Sequence, residues 1–393
     1  MYETPSLLWD TDNLDFNAYL AWAKALLTAR RCDISTDQAL NYRIYHANMP
    51  FELKPDNVTT PKRGILLLHG LLSSPITMHD IGHYFQKKGF LVRGLLLPGH
   101  GTQPHDLRHI TMHDWINAVT WGVISLKQEV DEIWLGGLSG GASLALCHAY
   151  EKADIHSLVL FAPSLLLKNR LVPLTPLLNK FCQITRFNYW PEKNIENDYA
   201  KYNSFSIEFA AQAYLLTQYL KKYLIQQPLN TKLWMALTED DETICSQAAL
   251  TLFESTQQPG NQLLWYAKKP LATSDPRIIN RKSDYPEQRI LDFSHACLTF
   301  SPLNTHYGHN GDFGSLLNHP HRYKGATHSA NMKKFSMHRL LYNPDFNAMI
   351  EYLGLFIDKL EKKESIIPPS LPARDSDLYS PIDKNGDMTD ARS

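Results

Sequence analysis

Apolar residues follow two different rhythms along this chain. Short continuous apolar runs, which are typical of buried strands, lie at residues 64–68, 90–96, 132–135, 157–161 and 232–237, with a further run at 262–266. Most of these runs lead through a turn into residues whose apolar positions recur every three or four residues, as in amphipathic helices. Strands and helices in alternation predict an α/β fold in which a mostly parallel central sheet is flanked by helices.

Helical spacing also marks three segments outside this alternation. Residues 1–50 carry apolar residues at three- and four-residue spacing and predict helix, within an N-terminal helical extension at 1–60, and residues 344–362 predict a C-terminal core helix. Between the fourth and fifth apolar runs, residues 165–230 hold prolines and an amphipathic stretch at 206–223. An insertion of that length between two strands predicts a helical cap above the sheet, and we expect most of its apolar residues to pack on the body.

The other segments divide the chain into a core and its insertions. The core is predicted at 61–164 and 231–298, with an irregular insertion at 268–287 and a resumed strand at 289–293; a long loop rich in Asn, Gly, Pro and His is predicted at 299–343, and a disordered tail at 363–393.

Composition and charge exclude several classes of function. Hydrophobic residues make up 44% and charged residues 20%, as in ordinary globular proteins, and the formal net charge of −1 does not favour nucleic acid or an anionic membrane as partner. No apolar run approaches the roughly 18–20 residues that span a bilayer. The first residues lack a signal-peptide pattern, and the five cysteines lie far apart without a CxxC pair, as reduced thiols do. We therefore expect a cytoplasmic protein without a transmembrane segment.

The strongest chemical signal is the sequence GLSGG at residues 137–141, which follows an apolar strand and precedes a predicted helix. A serine between glycines in a strand–turn–helix context is the pattern of a nucleophile elbow. Side chains at Gly137 and Gly141 would collide with the backbone that crosses there, and the helix N-terminus favours negative charge on a substrate oxygen. Ser139 is thus the candidate nucleophile, and a structural turn is the alternative.

Two further loops follow neighbouring strands. Residues 64–75 read GILLLHGLLSSP, a strand that ends in His69 and Gly70 before a loop of small residues, and residues 97–107 read LPGHGTQPHDL. The second is by itself only a turn signal, but beside the other motifs it predicts a loop at the mouth of the site, with His100 in a structural role.

Together these three motifs resemble those of α/β-hydrolases of the carboxylesterase, monoacylglycerol lipase and lysophospholipase-like group, over roughly residues 50–362. The resemblance implies the α/β-hydrolase fold, a Ser/Asp/His triad in that chain order and no cofactor. It also implies an oxyanion hole from the backbone N–H groups of Leu71 and Gly140, with Gly70 allowing close backbone approach and His69 supporting the loop rather than serving as a base. The loop departs from the family in lacking a glycine before its proline.

The acid of such a triad is expected just after the strand at 232–237, where four acidic residues follow one another. Family members commonly read D-x-x-V/I at this point, and Asp241 with Ile244 matches that pattern. Asp240 and Glu239 remain alternatives. The unused acidic residues are expected to form a solvated turn.

The base is harder to choose, because the chain contains 17 histidines. His295 closes an apolar run and resembles the strand-end histidine of the family. His306 and His309 lie in Gly- and Asn-rich sequence and are the alternatives. The spacings His306-x-x-His309 and His319-x-His321 lack the carboxylate or cysteine framing of a metal site, so no metal is expected.

The sequence therefore predicts a cofactor-free serine hydrolase that cleaves carboxylic esters, of a small-molecule or lipid-like substrate, through an acyl-enzyme. An acyltransferase with the same triad and a serine peptidase of the same fold are the alternatives within this chemistry. A non-catalytic binding module that keeps the fold is the alternative outside it.

Overall fold

The computed structural model describes residues 5–56, 58, 60–317 and 321–362. The helices are α1 (Phe16–Arg30), α2 (Gln38–Asn48), α3 (His79–Lys87), α4 (Met112–Lys127), α5 (Gly140–Glu151), α6 (Thr175–Thr185), α7 (Ile207–Gln226), α8 (Ser246–Ser255), α9 (Gly314–Leu317), α10 (Ser329–Lys334) and α11 (Phe346–Lys362). The strands are β1 (Phe51–Leu53), β2 (Arg63–Leu68), β3 (Leu91–Leu95), β4 (Glu132–Leu138), β5 (Ser157–Phe161), β6 (Lys232–Thr238), β7 (Gln262–Ala267), β8 (Ile278–Lys282), β9 (Tyr323–Gly325) and β10 (Met337–Arg339). The predicted disordered tail lies outside the described residues.

Eight strands form one sheet in the order β1-β3-β2-β4-β5-β6-β7-β8. β1 pairs antiparallel with β3, and every other pairing in this sheet is parallel. The predicted mostly parallel sheet flanked by helices is confirmed. Because the carboxyl ends of parallel strands meet at one edge, the loops after β2, β4 and β6 are brought together there.

The strands are buried on both faces because helices cover each side. Along β2, Leu66 and Leu68 pack into one apolar cluster, which also receives α4 and α5, whereas Ile65 and Leu67 pack into a second cluster with α3 and α11. Alternate side chains of a strand point to opposite faces of a sheet. This two-sided burial explains why the strands read as continuous apolar runs.

The N-terminal extension is not helical throughout. α1 and α2 confirm helical structure within residues 1–50, and residues 51–53, also assigned to the predicted extension, form the edge strand β1 instead. The ring of Phe51 fills the space above Gly94 of β3, where an added Cβ would lie 2.1 Å from it. Residues 51–53 form a strand because they pair with β3, which would otherwise lie at the open edge of the sheet, and because Phe51 packs over Gly94.

The region after β7 differs from its prediction in two ways. Residues 268–287, predicted to be irregular, contain β8, and residues 289–293, predicted to resume the strand layer, make only isolated bridges at Ile290. β8 is an edge strand whose last three residues are polar or charged, so it carries no continuous apolar run. Strand pairing with β7 rather than burial defines it.

The two insertions have different characters. The cap consists of α6 and α7, as predicted for a helical insertion. The segment 299–343, predicted to be a long loop, contains the short helices α9 and α10 and the two-stranded β9/β10 sheet, and it buries Tyr307 and Leu340 against the body. In the described part of the chain no helix combines the length and the apolar character needed to cross a membrane.

Candidate active site

Ser139 occupies a sharp turn between the end of β4 at Leu138 and the start of α5 at Gly140. Its backbone has φ 55° and ψ −118°, a conformation that costs a non-glycine residue about 1–3 kcal/mol. The Ser139 N–H donates to the carbonyl oxygen of Phe161 at 2.9 Å, which ties the turn to the end of β5. The strained backbone thus holds the serine at the carboxyl edge of the sheet.

Glycines on both sides of Ser139 are required by the space available. A Cβ at Gly137 would lie 2.6 Å from the backbone nitrogen of Ala142, and one at Gly141 would lie 2.4 Å from the carbonyl oxygens of Leu68 and His69. Backbone cannot move aside as a flexible side chain can. Both glycines therefore allow α5 to begin directly against β2 and β4.

The loop after β2 lies against the start of α5. A Cβ at Gly140 would be 2.5 Å from Cγ of Leu71, so the two residues are immediate neighbours. A Cβ at Gly70 would lie at an ordinary 3.6 Å from Cβ of Ser139. In the ranges that the structure describes, the N–H groups of Leu71 and Gly140 have no hydrogen-bond acceptor, whereas the N–H of Leu72 donates to Nε2 of His100 at 3.1 Å.

Two buried histidines connect this loop to the loop after β3. His69 donates from Nδ1 to the carbonyl oxygen of Gly70 at 2.8 Å and accepts at Nε2 from the N–H of Leu97 at 3.0 Å. His100 donates from Nδ1 to the carbonyl oxygen of Pro98 at 3.0 Å. Burial lowers the pKa of His69 well below its usual value and that of His100 to about 4. Both rings are neutral and fully bonded, so they connect loops and are not placed to accept a serine proton.

Asp241 is the acidic residue that the structure places beside His295. Its Oδ2 lies 2.6 Å from Nδ1 of His295, and its Oδ1 accepts the N–H groups of Thr243 and Ile244 at 2.8 Å each. Burial by itself would raise the pKa of Asp241, but the adjacent imidazole and the two N–H groups leave it lowered. The carboxylate is therefore held ionised in a fixed orientation.

The other two candidate acids point elsewhere. Asp240 lies near Asp292 and Lys268, and burial together with the charge of Asp292 raises its pKa. Its Oδ2 is buried without a hydrogen-bond partner in the described part of the chain. Glu239 is exposed. Neither makes a hydrogen bond to His295.

The imidazole of His295 follows β8 and is only 12% exposed. Burial alone would lower its pKa, but the attraction and hydrogen bond of Asp241 leave the pKa raised. Nε2 is not engaged by any described residue. No hydrogen bond joins His295 to the Ser139 hydroxyl within the ranges that the structure describes, although both residues lie at the carboxyl edge of the sheet.

Parts of the chain are similar in sequence to known proteins. Residues 59–230 match the family model "Serine aminopeptidase, S33"; the match includes Ser139, Leu71 and Gly140 and ends before Asp241. Over 96 residues the chain is 38% identical to a thermostable monoacylglycerol lipase of Bacillus sp. (strain H-257), which is 24% of this chain and 38% of that lipase. The chain thus matches well under half the length of this curated relative.

Two similar solved structures belong to lipolytic proteins. One comes from work on LipS and LipT, metagenome-derived lipolytic enzymes, with a TM-score of 0.47 and 17% identity, covering 56% of this chain and 86% of that chain. The other is a soluble variant of monoglyceride lipase from Saccharomyces cerevisiae, with a TM-score of 0.43 and 14% identity, covering 56% of this chain and 82% of that chain.

The family match covers the strands β2–β5 of the sheet and the strand–serine–helix turn. Over residues 59–230 the chain is similar to this hydrolase family, and the match covers less than half of the chain. This agrees with the fold and family that the motifs imply. The strands after residue 230 complete the same sheet and position the Asp241–His295 pair.

Sequence reasoning missed one residue at the candidate site, Glu242. Its Oε2 accepts the backbone N–H of His295 at 2.9 Å, and its Oε1 lies 2.7 Å from Nε of Arg339, close enough for charge attraction although not aligned as a hydrogen bond. The side chain is only 7% exposed. The prediction that the unused acidic residues are solvated is wrong for Glu242. Its partner Arg339 lies far along the chain, and no sequence pattern predicts that the two residues meet.

The alternative histidines are placed differently from His295. His306 is buried, with Nε2 2.8 Å from Oδ1 of Asp198 and Nδ1 2.9 Å from the hydroxyl of Tyr199, so neither ring nitrogen is left for a serine. His309 is exposed, with Nδ1 3.0 Å from Oδ1 of Asn310. The described residues contain no group of three or more side chains arranged to hold a metal ion, and His319 lies outside them.

The cap is tied to the loop that carries Asp241. The N–H of Lys168 donates to the carbonyl oxygen of Thr243 at 3.1 Å, and the N–H of Cys245 donates to that of Leu166 at 2.8 Å. Further along, the apolar residues do not pack on the body as expected. The large side chains that stay exposed include Leu171, Leu174, Leu177, Phe181, Ile184 and Phe187. The cap therefore presents an apolar surface to its surroundings.

Proposed function

We propose that this protein cleaves carboxylic esters, with Ser139 as nucleophile, His295 as general base and Asp241 as the carboxylate that orients the imidazole. The observation that carries the proposal is the 2.6 Å contact between Asp241 and Nδ1 of His295, with Asp241 itself held by two backbone N–H groups. A carboxylate fixed in this way selects the tautomer that leaves Nε2 able to accept a proton.

The reaction follows from these positions. The Oγ of Ser139 attacks the ester carbonyl carbon while Nε2 of His295 takes the hydroxyl proton. The resulting imidazolium then protonates the leaving alcohol as the carbon–oxygen bond of the ester breaks, which leaves an acyl group on Ser139. Water, deprotonated by the same imidazole, attacks this acyl-enzyme, releases the carboxylic acid and restores the serine.

Two backbone donors, the N–H groups of Leu71 and Gly140, stabilise the negative charge that develops on the carbonyl oxygen. They belong to adjacent backbone segments, and the N–H of Gly140 lies at the positive end of α5. Each oxyanion donor typically contributes a factor of about 10²–10³ to kcat. The N–H of Leu72 is not assigned to this role, because His100 already accepts it.

The substrate class is inferred from the cap. Its exposed leucines and phenylalanines offer an apolar surface, which suits an acyl chain, and the start of the cap is hydrogen-bonded to the loop that carries Asp241. The local 38% identity to a monoacylglycerol lipase also supports a substrate with an acyl chain. We therefore propose a monoacylglycerol, a lysophospholipid or a simple lipophilic ester as substrate, with no cofactor required.

A direct test compares Ser139→Ala with Ser143→Ala, one turn further along α5, whose hydroxyl donates to the carbonyl oxygen of Ser164. Ser139→Ala is expected to lower kcat on p-nitrophenyl esters by several orders of magnitude and to abolish labelling by a fluorophosphonate, while Ser143→Ala keeps both. Activity of Ser139→Ala within tenfold of wild type excludes the proposed nucleophile.

The same protein preparation distinguishes ester hydrolysis from acyl transfer and from peptide hydrolysis. An acyltransferase would convert the ester into a new ester when an alcohol is added, which product analysis detects. The family model's description favours a second candidate, peptide hydrolysis, and aminoacyl p-nitroanilides test it. Turnover of the anilides at a kcat/KM above that of the p-nitrophenyl esters replaces the ester assignment by a peptidase.

A further inference from the structure

A short stretch of the cap, residues 198–202, contacts the oxyanion loop at residues 70–75; we name it the clamp segment. The hydroxyl of Ser74 donates to the carbonyl oxygen of Ala200 at 2.7 Å, and the N–H of Tyr202 donates to the carbonyl oxygen of Leu72 at 2.7 Å. Because His100 accepts the N–H of Leu72, both backbone groups of that residue are bound. Leu72 has φ 66°, a left-handed conformation that persists only where its surroundings impose it.

The clamp segment also contacts the loop after β3 through the side chain of Tyr202. Its hydroxyl accepts the N–H of Thr102 at 2.8 Å and donates to the carbonyl oxygen of Gly99 at 3.1 Å. The ring is stacked on that of His100, with an interplanar angle of 10°. One segment therefore binds the oxyanion loop and also the loop that carries His100.

A buried polar cluster anchors the other end of the clamp segment. Oδ1 of Asp198 lies 2.8 Å from Nε2 of His306 and accepts the N–H of Ala200 at 3.0 Å, and Oδ2 accepts the hydroxyl of Tyr307 at 2.7 Å. Asp198 and His306 are 3% and 1% exposed. Such a buried network is rigid when all its members are bonded, and it is sensitive to the loss of any one of them.

The Asp241–His295 pair and the Asp198–His306 pair differ in geometry. In the Asp241–His295 pair one ring nitrogen is left for chemistry, whereas in the Asp198–His306 pair both nitrogens are bonded. His306 comes from the 299–343 insertion and Asp198 from the cap. The second pair therefore joins two insertions at the point where the clamp segment turns toward the oxyanion loop.

We propose that Asp198 and His306 are positioning residues: they fix the clamp segment, which in turn holds Leu71 and its neighbours in the geometry needed to stabilise the oxyanion. This inference rests on the proposed function. A displacement of about 1 Å in a catalytic group can cost a factor of 10² in rate. We therefore expect His306→Ala to lower kcat about 10- to 100-fold and to change KM less than threefold.

The test compares His306→Ala, His306→Gln and His309→Ala in the full-length protein. Glutamine places an amide N–H near the position of Nε2 and can still donate to Asp198, so His306→Gln is expected to recover most of kcat. His309 is exposed in the same insertion, and His309→Ala is expected to keep wild-type kcat. Equal loss of kcat in His306→Gln and His306→Ala, or no loss in either, overturns the proposal.

A pair of inhibitors distinguishes positioning from general damage. A trifluoromethyl ketone forms a tetrahedral adduct with Ser139 and needs the oxyanion donors, whereas the matching unreactive alcohol binds without them. His306→Ala is expected to weaken the ketone by the same factor as it lowers kcat/KM and to leave the alcohol unchanged. Equal weakening of both compounds contradicts the proposal.

Ser74→Ala provides an independent variant if His306→Ala does not fold. It removes the bond between the oxyanion loop and Ala200 without entering the buried cluster, and the same selective loss of ketone binding is expected. If Ser74→Ala binds both inhibitors as wild type does, the proposal fails. The failure of the proposed function is recognised separately, because Ser139→Ala would then stay active whatever the result at His306.

Discussion

The side chains of Asp241 and His295 meet at 2.6 Å although 54 positions separate them in the chain. Asp241 follows β6, and His295 is brought to the same edge because the hydroxyl of Thr238 donates to the carbonyl oxygen of Phe293 at 3.2 Å. The chain between the two residues forms α8, β7 and β8, and both strands belong to the same sheet as β6. The geometry of the pair is a property of the whole core rather than of one loop.

Replacing the carboxylate of this pair is expected to damage catalysis strongly. Asp241→Asn keeps the shape but can donate to Nδ1, which favours the wrong tautomer of His295, so kcat should fall by about 10³–10⁴. The measurement is steady-state hydrolysis of a p-nitrophenyl ester.

Asp240→Asn is the matched control, because Asp240 precedes Asp241 but makes no hydrogen bond to His295. Its effect on kcat should stay within about tenfold. A larger loss in Asp240→Asn than in Asp241→Asn would show that the acid has been assigned to the wrong residue.

The pH dependence of activity should report the protonation of His295. Only the neutral imidazole accepts the serine proton, so kcat/KM should rise with pH as His295 loses its proton. The raised pKa of His295 places the midpoint of this rise above 6.5. The negative charge of Asp241 is the main influence that raises the pKa of His295, and the charge of Glu242 raises it further.

Glu242→Gln isolates the contribution of the second carboxylate. The amide oxygen can still accept the N–H of His295, but the negative charge is gone, so the pKa of His295 should decrease and the rise in kcat/KM should move to lower pH. The plateau at high pH should stay within about threefold of wild type, since the hydrogen bond remains. A midpoint that stays in place would show that Glu242 does not influence the base.

The sequence predicts the sheet well where burial is two-sided. Each of the six apolar runs overlaps a strand, and the run at 132–135 stops short of the end of β4 only because Gly136 and Gly137 carry no apolar side chain. β8 escapes the pattern because an edge strand ending in polar residues is defined by pairing alone. Local hydrophobic periodicity cannot report such pairing.

The candidate site divides in the same way. The turn at Ser139 has a local signature, because the glycines are needed by backbone crowding within a few residues. Glu242, Asp198 and His306 have none, since their partners come from segments far along the chain and polar loop residues show no periodicity. The roles of Ser139, Asp241 and His295 stay predictions until the variants are measured.

Crowding around the elbow predicts a large effect on stability. A Cβ at Gly141 would lie 2.4 Å from two carbonyl oxygens, so Gly141→Ala must displace backbone and should lower the free energy of unfolding by about 1–3 kcal/mol or more. Gly260→Ala is the control, since its Cβ would have no neighbour nearer than 4.0 Å. Urea denaturation of both variants measures the difference, and equal stability would mean that α5 can shift to accept the methyl group.

The apolar surface of α6 gives the last prediction. Leu177 and Phe181 are 72% and 58% exposed on one side of this helix, whereas the polar Asn179 is buried on the other. Removing exposed apolar side chains does not open a cavity, so the double variant Leu177→Ser/Phe181→Ser should change the free energy of unfolding by no more than about 0.5 kcal/mol.

If this surface receives the acyl chain or the lipid aggregate that carries it, KM for a long-chain monoacylglycerol in micelles should rise about tenfold in this double variant, because the variant loses apolar contact area. KM for dissolved p-nitrophenyl acetate should not change, since an acetyl group is too short to need the helix. Gln183→Ser, at an exposed polar position of α6, should leave both substrates unaffected. Equal effects of the double variant on the two substrates would remove α6 from substrate recognition and leave its exposed apolar residues to another role.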